Sequence, residues 1–423
     1  MIDPLVLVRG VHFAATAFAG GTAFFVALCA EPAFNNLGRD AARQLFRRAG
    51  RWLTWGALAV TVLTGLAWLV WLASDIFGAS LLEVCLQGGA WSVVHQTRFG
   101  AVSLVRLALA VLLSVSICWP ALRWVQLAAA AGLVGLIALI GHAGAAPGGA
   151  GDFRLAADIL HLIASATWVG ALPALALLLH RMRQEDDDWA GAVAAEAVRR
   201  FSIAGVVGVA TLLATGVVNS WSQLSAVGDL VTTDYGRLLL LKVGLFIAMI
   251  GIATVNRFHL APRLSLSGIL GRLEHNSIAE AVLGICVFLF VGVLGTMAPP
   301  VHGHNHEAAA TIPADAAFVH IHSSEAMADV TIEPGRAGPA RVSIRLLRED
   351  FTPLAVRSVN VVLTPEAQPG VAPITLKAEQ RPDGAWQVDG LQIRQAGIWT
   401  VLLTIDTGSG TPITLDAPTV IDR

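Results

Sequence analysis

Eight apolar stretches of about twenty residues, each long enough to cross a bilayer as a helix, dominate the first 300 positions of this chain. They lie at roughly 5–29, 51–74, 99–118, 121–142, 155–179, 201–221, 237–258 and 277–298. One such stretch could be a buried helix of a soluble protein. Eight in series restrict the chain to a polytopic α-helical bundle, where every backbone amide stays paired inside its own helix. A mean hydropathy of +0.66 and a charged fraction of 14 % agree. The formal net charge of −2, with no basic stripe interleaved with aromatics, gives no sign of a nucleic-acid partner.

Arginine sets the expected orientation. Arg39, Arg43, Arg47, Arg48 and Arg51 follow the first stretch, and Arg123 follows the third. Arg181, Arg183, Arg199 and Arg200 follow the fifth, and Arg257, Arg263 and Arg272 the seventh. The alternate connections hold little beyond Arg98, Arg154 and Arg237. The arginine-rich loops are therefore expected in the cytoplasm, with both termini on the outer side of a cell inner membrane. The first stretch lacks a small-residue cleavage site and reads as a retained helix. No internal repeat is evident. The four cysteines (Cys29, Cys85, Cys118 and Cys286) are scattered and form no CxxC pair, so neither a disulfide framework nor a thiolate site is expected.

Beyond Pro299-Pro300 the pattern changes. Ala340–Leu347, Ser358–Thr364 and Trp399–Ile405 alternate in part, and Pro382-Asp383-Gly384 is a turn signal before Trp386. The expected organisation is an eight-helix membrane domain over 1–299, a His-rich linker over 300–317 and a small all-β sandwich over 318–423, the last extracytoplasmic.

Ionisable side chains at bilayer depth are costly and mark functional positions. His12 lies about seven residues inside the first stretch from the outer face, and His161 about six inside the fifth, at 1.5 Å of rise per residue. His142 closes the fourth stretch on the same side. Three imidazoles thus share the outer third of the bundle and make a candidate metal site, since imidazole binds copper, zinc, iron and nickel. Asp158 and His161 share a helix face, which suits a carboxylate that orients a ligand. Arg9, Arg106 and Lys242 lie at similar depth, with Arg106 a candidate partner for Asp158. Glu31, Asn256, His259, His275 and Glu280 lie toward the inner face, as a transport path or helix-end anchoring would require. Outside the membrane, His302, His304 and His306 alternate along the linker, and His320 and His322 repeat the spacing with Met327 close behind. Alternate residues of an extended chain point one way, so these side chains are candidates for metal capture. Trp168-Val169-Gly170 and Asn219-Ser220-Trp221 read as packing and interfacial anchors.

The order of several motifs resembles the copper resistance protein D (CopD) family across residues 1–300. These are His12; Gly141-His142-Ala143; Asp158-x-x-His161 with Trp168-Val169-Gly170; Arg200-Phe201-Ser202; Thr215-Gly216-Val217-Val218-Asn219-Ser220; Tyr235-Gly236-Arg237 with Lys242; Asn256-Arg257; Glu280; and Leu294-Gly295-Thr296. The segment from His320 through Gly335 is similar to the extracytoplasmic domain attached to some members. The resemblance implies an inner-membrane copper transporter, usually one of uptake from the periplasm. Copper would then be captured by His302, His304, His306, His320, His322 and Met327 and received by His12, His142 and His161. A periplasmic copper-binding protein and membrane lipid are the implied partners. Two other readings stand beside it: a b-type cytochrome with haem iron held between His12 and His161, and a copper-handling assembly factor that does not transport. No nucleotide-binding motif or reductase signature is present, so neither enzymatic activity nor direct ATP coupling is expected.

Overall fold

A computed structural model describes residues 4–35, 40–77, 80–86, 88–140, 149–185, 188–224, 226–264, 268–297, 313, 315–322, 326–348, 353–365, 372–408 and 412–422. The chain divides into two compact units, Met1–His302 and Gly303–Arg423.

The first unit contains eight helices long and apolar enough to cross a membrane: α1 (Pro4–Asn35), α2 (Asp40–Ile76), α3 (Arg98–Ser116), α4 (Pro120–Ile140), α5 (Gly151–Arg183), α6 (Trp189–Trp221), α7 (Asp234–Arg263) and α8 (Ile269–Leu294). Each overlaps one of the predicted stretches. The helices α1, α2, α5, α6, α7 and α8 run beyond those stretches at their arginine-rich ends. Hydrophobicity marks only the depth of the hydrocarbon. Backbone hydrogen bonding carries each helix on into the polar layer, where charged side chains are at no cost.

Helix α1 is the central element. Its alanines 14, 15, 17, 19 and 23 are buried, and it packs against α2, α4, α5 and α8. Small residues let neighbouring backbones approach closely, the main source of helix association where lipid removes the hydrophobic drive. The closest approach is between α1 and α5. A Cβ added at Gly21 would stand 2.1 Å from the Gly170 carbonyl carbon, and one at Gly170 would stand 2.1 Å from the Ala17 carbonyl oxygen. The outer helices expose large apolar side chains such as Leu63, Val207 and Ile247, as a lipid-facing surface requires.

The second unit is an eight-stranded, nearly closed antiparallel sheet. Its strands are β1 (Ala317–His322), β2 (Met327–Glu333), β3 (Gly338–Leu347), β4 (Ser358–Pro365), β5 (Ile374–Gln380), β6 (Trp386–Ile393), β7 (Gly397–Asp406) and β8 (Ile413–Ile421). They run in the order β1-β2-β3-β6-β5-β4-β7-β8. Only Glu379 with Gln387 and Gln380 with Trp386 join β5 to β6, so two four-stranded faces fold over one core. The predicted alternation fills that core: Val342, Ile344, Val359, Val361, Leu363, Val401 and Leu403 are wholly buried. Pro382-Asp383-Gly384 makes the β5–β6 turn, with Gly384 at φ 84°, a conformation glycine adopts without strain.

Candidate functional site

His12 is almost fully buried at 2 % exposure, on the face of α1 that meets α2. Its Nδ1 lies 3.0 Å from Thr64 Oγ1. That hydroxyl in turn lies 2.7 Å from the Val60 carbonyl oxygen. A hydroxyl has a single proton, and a carbonyl can only accept, so the Thr64 proton goes to Val60. The contact with His12 is then held by Nδ1–H donating to Thr64. This fixes the tautomer and leaves Nε2 with its lone pair, the form a metal ligand needs. Among the described residues, Nε2 has no hydrogen-bond partner. His12 lines a cavity of about 150 Å³ with Thr61, Gly65, Trp68, Phe99 and Arg106. Thr64-Gly65 makes room for the ring, since a Cβ at Gly65 would stand 3.3 Å from His12 Cε1.

His161 on α5 is held in the same manner by α6. Its Nδ1 lies 2.9 Å from Thr215 Oγ1, which lies 2.6 Å from the Thr211 carbonyl oxygen. The same proton accounting makes Nδ1 the donor and Nε2 the bare nitrogen. Gly216 sits beneath this ring, with an added Cβ 3.9 Å from Cε1. The two imidazoles therefore engage different helices.

Arg106 does not pair with Asp158, the partner its depth suggested. It is buried on α3, where Nε donates to the Leu133 carbonyl at 3.2 Å and Nη2 to Thr16 Oγ1 at 3.4 Å. Asp158 lies on α5 and accepts from Asn219 Nδ2 of α6 at 2.5 Å, with Lys242 of α7 within electrostatic reach. Arg9 stacks over the Trp68 ring, 5.0 Å from its centroid.

At the arginine-rich end, Glu31 is clamped by Arg43 at 2.5 Å and by Arg47. These residues line a second cavity of about 150 Å³ with Asn35 and Arg123. Asn256 donates to Glu280 at 2.7 Å and accepts from Asn276 at 2.6 Å. His259 and His275 are exposed. Nineteen residues of α1 separate His12 from Glu31, about 28 Å of helix, so polar groups stand toward both ends of the bundle.

The remaining sequence-predicted ligands are placed as follows. His142, His302, His304 and His306 lie outside the described residues. In β1 the backbone of His320 pairs with Asp329 and that of His322 with Met327. The Met327 side chain is wholly buried, on the face of β2 opposite the core residues Ala328, Val330 and Ile332. Among the described residues, no three His, Cys, Asp or Glu side chains gather closely enough to share a metal ion. The sequence offers Thr215 only within a family motif and gives no sign of Thr64; the shared signal is the Thr-Gly pair beneath each histidine. Asn219 reads as an anchor in the sequence, although its partner Asp158 lies one turn before His161.

A multi-pass helical bundle, with an imidazole on each of two helices held by a threonine of the helix beside it, defines the class of protein. The model for "Copper resistance protein D" matches residues 195–294, and that for "Copper resistance protein D-like, N-terminal domain" matches residues 1–152. The chain is 32 % identical to copper resistance protein D of Pseudomonas syringae pv. tomato over 282 residues, covering 62 % of this chain and 90 % of that one. It is 29 % identical to the inner membrane protein YebZ of Escherichia coli, over 70 % of this chain and 98 % of that one. It is 26 % identical to the copper transport protein CutJ of Bacillus subtilis, over 76 % of this chain, and spans 61 % of that longer protein. No solved structure matches. The chain belongs to the copper resistance protein D family.

Proposed function

We propose that this protein carries copper across the inner membrane, taking it up from the periplasmic side, where both termini and the β unit lie. The observation that carries the reading is the pair of imidazoles, His12 buried and His161 half-buried. Each is locked by a threonine with Nε2 unprotonated, in a chain of the copper resistance protein D family. A neutral imidazole nitrogen held in position before the ion arrives lowers the ordering cost of binding. The relatives named for copper transport and copper resistance support copper as the cargo.

The linker and strand histidines His302, His304, His306, His320 and His322 act earlier in this reading. Tethered to the same chain, they raise the local concentration of captured ion, with a periplasmic copper-binding protein as the source. The polar groups around Glu31 and Glu280 would serve the exit side.

Copper uptake into proteoliposomes tests the reading. His12→Ala and His161→Ala should each abolish copper-dependent uptake while the protein still inserts. Deleting 302–423 should raise the copper concentration needed for half-maximal uptake and leave transport through the bundle. Uptake indifferent to both substitutions would remove the membrane histidines from the path. A haem absorption band in the purified protein would replace the transporter reading with a cytochrome.

A further inference from the structure

The two halves of the membrane unit carry the same local structures in the same order. A glycine follows each of His12 and His161 by nine positions, Gly21 in one half and Gly170 in the other. These glycines make the α1–α5 crossing reciprocally: an added Cβ at Gly21 would stand 2.3 Å from the Ala166 oxygen, and one at Gly170 would stand 2.1 Å from the Ala17 oxygen. A Thr-Gly pair on the next helix, Thr64-Gly65 or Thr215-Gly216, receives each imidazole. The third helix of each half opens with the same cap, in which Thr97 and Thr233 accept from Gly100 and Gly236 at 3.1 and 3.0 Å. Single side chains differ on this scaffold. Three positions before each histidine stands Arg9 or Asp158, and four positions after each threonine stands Trp68 or Asn219.

A larger difference lies at the arginine-rich end. At equal spacings before Thr64 and Thr215 stand Arg43, Arg47 and Arg51 on α2, and Ala194, Val198 and Ser202 on α6. Both helices run unbroken through these positions. The arginines that α6 does carry at this end, Arg199 and Arg200, both pair with Glu196 of the same helix. The scaffold folds without the α2 arginines, so helix packing does not account for them. In the first half they converge. With Arg123 of α4 and Glu31 of α1 they line the cavity of about 150 Å³. Among the described residues Glu31 is the only acid in that lining, so four positive charges face one negative. Asp40, within electrostatic reach of Arg47, does not line it. Glu31 occupies the Nε and Nη2 edges of Arg43 and Arg47, which leaves their Nη1 donors for another acceptor.

The other walls indicate which anion fits. Val26, Ala27, Ile117 and Pro120 are apolar, while Asn35 and Arg123 are exposed, so the cavity reaches the surface. Exposed indoles adjoin its lining in the chain: Trp52 follows Arg51, Trp119 precedes Pro120 and Trp124 follows Arg123. Indoles exposed on a membrane bundle stand at headgroup depth. A phosphate ester supplies the oxygens that guanidinium forks bind, and its glycerol suits the apolar wall. A zwitterionic headgroup would add an ammonium to a cavity already positive. We propose that this cavity binds the phosphate of an anionic phospholipid from the adjoining leaflet, with the acyl chains left in the bilayer. The lipid then ties α1 and α2 to the α3–α4 turn, which Gln126 braces by donating to the Ser116 and Trp119 carbonyls at 2.8 and 3.1 Å. In the copper reading it also lowers the positive potential that a cation leaving by this end would meet. The lipid site itself does not rest on that reading.

The test is titration of delipidated full-length protein, in a neutral detergent, with phosphatidylglycerol, phosphatidylcholine or inorganic phosphate. Native mass spectrometry counts the retained lipid, and the unfolding temperature is a second readout. Phosphatidylglycerol should be retained as a single molecule per chain and should raise the unfolding temperature saturably, and the other two should do neither. This arm needs no variant and survives any folding failure of one. Arg51→Gln and Arg123→Gln should each weaken phosphatidylglycerol retention about fivefold. Arg272→Gln, at an exposed arginine of the same end outside the cavity, should leave retention unchanged. Glu31→Gln should strengthen it by removing the competing carboxylate. Equal retention of phosphatidylcholine overturns the proposal, and so does equal stabilisation by inorganic phosphate, which means a free-anion site. Retention that falls alike in all three arginine variants means diffuse surface charge, and retention that falls in none means no site; either result overturns the proposal. No readout uses copper, so failure of the copper reading leaves these outcomes as they are.

Discussion

The first four membrane helices and the last four share a scaffold and differ in the charge they carry on it. The shared parts are backbone devices: a glycine at the crossing, a Thr-Gly pair under each imidazole, a Thr-x-x-Gly cap. The differing parts are single side chains, Arg9 against Asp158 and Trp68 against Asn219. In a membrane the backbone devices constrain sequence tightly, because helices associate through close packing. The charged side chains change without moving a helix. Geometry and electrostatics therefore sit on different residues, and each can be broken alone.

The largest effect is expected where the two halves meet. Gly21→Ala or Gly170→Ala puts a methyl into the backbone of the opposite helix, and the helices must part. A loss of about 3 kcal/mol or more follows from such overpacking, read as a lowered unfolding temperature and a lost monodisperse fraction in detergent. Gly244→Ala is the control, since among the described residues nothing lies within 4 Å of its added Cβ. It should be neutral or stabilising by up to about 1 kcal/mol, alanine being the better helix former. Equal behaviour of Gly170→Ala and Gly244→Ala would dissolve the crossing as the centre of the unit.

Next come the threonines. Thr64→Val and Thr215→Val preserve shape and delete the acceptor of the imidazole proton. Each should cost about 1 kcal/mol of stability and weaken copper binding about 10- to 100-fold, as loss of an orienting partner does. Similar losses in both halves fit two equivalent scaffolds. A loss confined to one threonine would mean that only its half holds metal.

A smaller and more pointed effect concerns Asp158. Asp158→Asn keeps the contact with Asn219 in size and removes the counter-charge to Lys242. Copper binding that depends on His161 should then weaken in a copper titration, since an unbalanced Lys242 repels the ion, while binding that depends on His12 is unchanged. An unchanged copper affinity in this variant would separate charge balance from metal binding.

Much of this was open to reading in the sequence, and the unread part has a physical reason. The eight spans were legible because bilayer thickness dictates their length. Strands such as Val359–Leu363 were legible because one buried face imposes alternation. His12 and His161 stood out because ionisable groups are rare at that depth. Their partners did not, since a membrane threonine ordinarily satisfies its hydroxyl on its own helix, as Thr64 and Thr215 also do. The duplication was hidden for a related reason. Lipid accepts any apolar side chain, so the halves keep in common only the few positions that touch backbone or imidazole. Those positions are scattered too thinly to register as a repeat before the contacts are known. The Arg106–Asp158 pairing was misjudged because depth along the membrane normal says nothing of which half a residue occupies.

The smallest expected effect lies outside the membrane and marks how far the comparison reaches. In the β unit, Asp389 accepts from Arg341 Nε at 2.7 Å, Gln387 Nε2 at 2.6 Å and Arg381 Nη2 at 3.0 Å. The hydrogen bond from Arg341, ahead of the others, holds its carboxyl below the usual aspartate range. A carboxylate with a depressed folded-state pKa stabilises above its unfolded value, near 4, and that contribution is lost as pH falls through the folded one. The cluster is fully exposed, so solvent and salt screen it and the contribution is slight. Asp389→Asn should therefore lower the β unit's unfolding temperature slightly at neutral pH, and the difference from wild type should vanish on acidification. Copper binding at His12 and His161 should be untouched by this change. A β-unit substitution that altered copper binding at His12 or His161 would show that the difference between the halves is not set within the membrane.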